Sequence, residues 1–160
     1  MVTFYMFLNF EQTMSKIIPK SFTDIDIGDE IGPVTKTPTT DVVIRYAKAA
    51  RITDQRFIDP ERARQTGFSQ PIVPGPLSAT FMAQMVTDHF PGWRLRNFQV
   101  SFRTPVKHGD TLNLWGNVTE KSGDEGDGSA TIHCDVVVEN QNGDRVIVGT
   151  VTLGMRRPAS

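Results

Sequence analysis

Residues 75–90 limit what this chain can fold into more than any other stretch. Proline presets the first turn of a helix, and Gly75-Pro76 is followed by Leu77, Ala79, Phe81, Met82, Met85, Val86 and Phe90 before Pro91-Gly92 stops the run. Apolar side chains occupy more than one face of the predicted helix, so other elements have to cover it. The chain downstream supplies the cover. Phe98, Val100 and Phe102 alternate with Gln99, Ser101 and Arg103, and Leu112, Leu114, Gly116 and Val118 alternate after Gly109-Asp110. Residues 131–139 and 145–155 are rich in valine, and Asn142-Gly143 between them is a hairpin signal. Residues 122–129, rich in Gly, Asp and Ser, form a longer turn.

Upstream, residues 30–36 carry Gly and Pro among alternating apolar residues, which predicts a short strand at a sheet edge. Thr40 is placed to cap a helix over residues 41–50, where Val42, Val43, Tyr46, Ala47 and Ala50 recur at helical spacing. A polar stretch, 51–57, leads to Asp59-Pro60, a cap and a first-turn proline that open a short second helix ended by Gly67. The order is strand, helices, one long buried helix, then four antiparallel strands. This predicts an α+β fold in which an antiparallel sheet wraps round one long central helix.

The 160 residues fit a single domain, placed at 21–158. Residues 1–20 are expected to be a loose tail or an over-long start. The first ten are apolar without a basic region or cleavage site, and Met14-Ser15-Lys16 reads as a natural beginning. With 17 basic and 18 acidic side chains, no field predicts a nucleic-acid or membrane-surface partner. One cysteine, Cys134, and three scattered histidines suit a reducing, cytoplasmic compartment and no metal site.

Several short motifs, in order, resemble one known family. They are residues 59–64 (Asp-Pro-Glu-Arg-Ala-Arg) with Thr66-Gly67-Phe68, residues 71–77 (Pro-Ile-Val-Pro-Gly-Pro-Leu), the Phe98 to Phe102 stretch with Arg103-Thr104-Pro105-Val106, and Gly109-Asp110-Thr111-Leu112. Together they are similar to the MaoC-like (R)-specific enoyl-CoA hydratases and dehydratases. The resemblance implies a hot-dog fold and a dimer or heteromer in which an acyl-CoA thioester lies in a tunnel between subunits while water adds across its 2,3-double bond. It also implies work on fatty-acid or steroid thioesters. Coenzyme A is then part of the substrate, and no other cofactor is expected. By the same resemblance, a backbone N–H near Gly75 holds the thioester carbonyl. A helix N-terminus suits that task because it presents unpaired N–H groups and a partial positive charge. Pro76 has no N–H and Pro74 stands where the family has His, so the donor is Gly75 itself or a residue beyond Pro76. The expected substrate-binding residues are Phe57, Val73, Pro74, Leu77, Phe81 and Arg103.

The chain departs from the family in the loop before Asp59. Active members carry an Asp and a His there that share the catalytic water. Here Phe57 takes the His place, and Asp54 is the carboxylate able to take the Asp place. Losing a general acid/base group costs about 10² to 10⁴ in rate. Three readings follow: a binding or structural subunit paired with a competent MaoC-like partner; a hydratase or hot-dog thioesterase working through Asp54; or an acyl-CoA-binding module without chemistry. Arg51 and Arg56 flank Asp54, as catalytic modulators or as ordinary surface ion-pair partners.

The remaining candidates have bland alternatives. His89 is expected at the helix C-terminus, where a cation suits the dipole. His108 lies in a turn and His133 in a strand, and Cys134 reads as a small buried residue. Ser78 and Thr80 are either near a thioester or helix-packing residues. Arg94, Arg96, Arg103 and Lys107 either meet coenzyme A phosphates or form a solvated strand face.

Overall fold

The computed structural model describes residues 19–155. Its elements run β1 (Glu30–Lys36), α1 (Thr40–Ala49), α2 (Pro60–Gln65), α3 (Gly75–His89), β2 (Trp93–Phe102), β3 (Leu112–Ser122), β4 (Thr131–Glu139) and β5 (Arg145–Met155). Two 3-10 turns, Phe22–Asp24 and Gln55–Phe57, precede β1 and α2 respectively. The strands form one antiparallel sheet in the order β1-β3-β4-β5-β2. Helix α3 lies against β1, β2, β3 and β4, which is the hot-dog arrangement.

Local chemistry accounts for the helix ends. Asp59 accepts from the backbone N–H groups of Glu61 and Arg62, and Pro60 fills the first turn of α2. For α1 the cap is one residue earlier than expected. Thr39, not Thr40, keeps extended backbone angles and accepts from Val42 N–H at 3.4 Å, and Thr40 is already helical. Neighbouring threonines offer equivalent caps, and the backbone decides between them.

The core lies between α3 and the inner face of the sheet. Met82, Met85, Val86 and Phe90 pack with Leu112, Leu114, Ile132, Val136, Ile147 and Leu153. The opposite face of α3 carries Thr80, Gln84, Thr87 and Asp88, all exposed, so the sheet covers one side of the helix and does not enclose it.

Strand β1 is an edge strand, as its Gly-Pro content predicted, and its pairing with β3 slips at Gly32-Pro33. Gly32 has φ +85°, and a Cβ there would sit 2.8 Å from the Leu114 carbonyl oxygen, so glycine is required.

Two other expectations need correction. Strand β2 starts at Trp93, five residues before the alternating stretch, because Trp93 to Leu95 already pair with Met155 to Leu153 of β5. Phe102, expected on the buried side of that strand, is 51% exposed: it is the last residue of β2, and its ring lies against Gly75. The expected loose tail lies outside the described residues except for positions 19 and 20, where Lys20 N–H donates to the Pro91 carbonyl at 2.9 Å and Trp93 Nε1 donates to the Lys20 carbonyl at 2.8 Å.

Candidate functional site

The start of α3 borders a cavity of about 450 Å³, within the range of small-molecule sites. The 3-10 turn supplies Arg56 and Phe57, the approach to α3 supplies Ile72 and Val73, α3 supplies Gly75 and Ser78, and the sheet side supplies Phe102, Arg103, Val106 and Ile147. Val73, Val106 and Ile147 are buried, so the deep end is apolar, and the exposed Arg103 puts positive charge at the mouth.

The sequence Pro74-Gly75-Pro76 leaves this helix end unusually bare. Pro74 precedes the helix and offers no side-chain cap. Pro76 has no N–H. The Leu77 and Ser78 N–H groups turn back to the Pro74 carbonyl at 3.0 and 3.5 Å. Among the described residues no acceptor faces the Gly75 N–H. Of the donors left open by the sequence, Gly75 is therefore the one available. Its Cα lies under the Phe102 ring, so closely that a Cβ there would come within 2.9 Å of two ring carbons.

Of the residues named from the sequence, Phe57, Val73, Gly75 and Arg103 meet at this cavity. Asp54, Pro74, Leu77 and Phe81 are not among its lining residues. Pro74 and Leu77 are buried, and Phe81 packs on the core with Lys36 Nζ 5.8 Å from its ring centre. Asp54 has a structural task. It caps the Gln55–Phe57 turn by accepting from Arg56 N–H at 3.1 Å, and its other oxygen accepts from Arg56 Nε at 2.6 Å. Both side chains are 41% exposed, so this pair contributes little to stability. The structure also favours Arg56 over Arg51 as its partner.

Sequence reasoning underrated two residues at the cavity. Phe102 was placed in a half-buried strand pattern, and Ser78 was weighed mainly as a packing residue. The signal for Ser78 was its spacing: three residues after Gly75, it shares that face of the helix.

The other titratable candidates lie elsewhere. His89 sits edge-on to Phe90, with ring centres 4.8 Å apart, and Lys20 Nζ lies 3.4 Å from its Nε2. Burial, then the Lys20 charge, push its pKa down against a smaller opposing effect of Asp29, so the ring is neutral at pH 7 and not the expected helix-end cation. His108 Nδ1 meets Thr40 Oγ1 at 3.1 Å, and His133 Nδ1 meets Thr152 Oγ1 across the strand pair at 3.1 Å. Cys134 is buried, and that burial pushes its thiol up to about 12, which makes it inert. Among the described residues no three His, Cys, Asp or Glu side chains gather as a metal site would need, and no helix is long and apolar enough to cross a membrane.

Comparison with known proteins places this geometry. The family profile described as MaoC like domain matches residues 32–142. The chain belongs to the MaoC-like domain family. Among curated proteins it is 33% identical over 86 residues to a mitochondrial 3-hydroxyacyl-[acyl-carrier-protein] dehydratase, FERN, of Solanum lycopersicum, covering 52% of each chain. The chain spans about half the length of the curated relatives it matches. Among solved structures, the (R)-hydratase from A. caviae involved in PHA biosynthesis superposes with a TM-score of 0.75 at 21% identity, over 82% of this chain and 98% of that one. The ChsH1-ChsH2 complex from Mycobacterium tuberculosis gives 0.72 at 23% identity, over 82% and 98%. At these identities the two structures speak for the hot-dog fold alone.

Proposed function

We propose that this chain binds an acyl thioester at the start of α3 and serves a hydratase or dehydratase of the MaoC type as its catalytically degenerate subunit. The observation that carries this reading is the mismatch within one site. The helix end keeps a free backbone donor at Gly75 beside an apolar cavity, while Phe57 occupies the cavity wall and the Asp54 carboxylate is tied to Arg56 outside it. A carbonyl can be held there, but water activation needs a group that takes and returns a proton, and phenylalanine does neither. The name of a curated relative, a dehydratase of 3-hydroxyacyl chains, supports the reaction class. Coenzyme A enters as part of the substrate and no further cofactor is invoked. With a single, buried cysteine, we place the protein in the cytoplasm.

The test is hydration of crotonyl-CoA by the purified chain, followed as loss of the conjugated thioester's absorbance, with binding measured by calorimetry. Binding without turnover is expected, with turnover appearing when a competent MaoC-like subunit is added. Turnover by the chain alone overturns the reading, and its loss in Asp54→Asn would then assign the chemistry to Asp54.

A further inference from the structure

Ser78 is 2% exposed, and its Oγ has no hydrogen-bond partner among the described residues. A serine or threonine inside a helix normally resolves this by donating to a carbonyl four residues back. Both threonines of α3 do so: Thr80 Oγ1 donates to Pro76 O at 2.8 Å, and Thr87 Oγ1 to Ala83 O at 3.0 Å. For Ser78 that carbonyl belongs to Pro74 and already accepts from two backbone N–H groups, Leu77 and Ser78. The hydroxyl is left buried and unpaired at the wall of the cavity, an arrangement that costs stability unless something else takes the hydrogen bond.

Two unpaired donors thus lie within the first turn of one helix. The Gly75 N–H is a main-chain donor on a helix of 15 residues, and Ser78 Oγ–H lies one turn further on the same face. Their surroundings, Val73, Val106 and Ile147, are apolar and buried, which strengthens any hydrogen bond formed there. The exposed Arg103 stands at the mouth, and Arg56 lines it with its guanidinium paired to Asp54. A ligand that fits has a neutral carbonyl oxygen at its buried end, an apolar chain beside it and anionic groups outside.

We infer that Ser78 Oγ–H is the second donor, with the Gly75 N–H, to the carbonyl oxygen of the bound acyl thioester. This rests on the acyl-thioester reading above and adds a residue to it. Ser78 touches the substrate, and its hydrogen bond strengthens as charge develops on that oxygen, so the site polarises the thioester even though it does not activate water.

The experiment is isotope-edited infrared spectroscopy of crotonyl-CoA, labelled with carbon-13 at the thioester carbonyl, bound to the full chain and to Ser78→Ala. In the wild type the bound carbonyl band is expected below that of the free thioester. Ser78→Ala is expected to move it back toward the free value and to raise Kd about three- to tenfold. Its melting temperature stays level or rises, because a buried unpaired hydroxyl has gone. Should Ser78→Ala not fold, Ser78→Cys, with a weaker donor, gives the same comparison. An unchanged band overturns the inference, with or without a change in Kd, because packing alone does not polarise the carbonyl. If the wild type binds no crotonyl-CoA, the acyl-thioester reading falls and Ser78's role falls with it.

Discussion

The two ends of α3 are built in opposite ways. At its C-terminal end the backbone is tied to the chain around it: Phe90 N–H returns to Val86 O at 3.1 Å, Lys20 bonds the Pro91 carbonyl, and Trp93 bonds that of Lys20. The Phe90 side chain beneath is fully buried, with Lys20 Nζ 5.1 Å from its ring centre. At the N-terminal end a proline replaces a capping side chain, Gly75 N–H and Ser78 Oγ face no acceptor among the described residues, and a half-exposed Phe102 ring covers the glycine. One end is tied into the fold and the other is left with bonding capacity to spare. The satisfied and the spare polar groups are thereby separated by the length of one helix.

The comparison is easiest to break at the tied end. Phe90→Ala should cost about 3–5 kcal/mol in denaturant unfolding, while the fraction that remains folded keeps its Kd for crotonyl-CoA. A parallel loss of binding would mean that the ends are not independent.

At the open end the pattern should invert. Gly75→Ala adds a methyl group against the Phe102 ring and should weaken crotonyl-CoA binding about tenfold, while unfolding free energy moves by no more than about 1 kcal/mol, the size of a Gly-to-Ala change in a helix. Adding Phe102→Ala should restore binding, because the clash is with that ring; a double-variant cycle measures the coupling.

A smaller effect sharpens the comparison through pH. His89 has its pKa lowered by burial first and by Lys20 second, so the unfolded chain takes up a proton near pH 6.5 that the folded chain resists. Its contribution to stability is whole above about pH 6.5 and is lost as pH falls below that value. Denaturation midpoints compared at pH 7.5 and 5 should show a drop that His89→Gln reduces, with thioester binding at pH 7.5 unaffected by the substitution.

Much of this was legible in the residues. The Asp59-Pro60 cap, the Asn142-Gly143 hairpin, the valine-rich strands and the apolar run beginning at Gly75-Pro76 all stand where their local chemistry places them. These signals act between residues near one another in sequence, through periodicity, caps and turns, so one sequence carries them fully. The placing of Phe57 where the resemblance puts the family's histidine rests on identity and order in the same way.

Direction and partnership were not. That Asp54 turns to Arg56, that Phe102 leaves the buried side of its strand to lie on Gly75, that Ser78 lacks a partner and that His89 is neutral beside Lys20 all depend on contacts between elements or on which of two local bonds wins. The sequence alone determined the elements and their order. The tertiary structure decided which polar groups are satisfied and which are left over, because a hydrogen bond between distant residues exists only once packing has brought its two ends together.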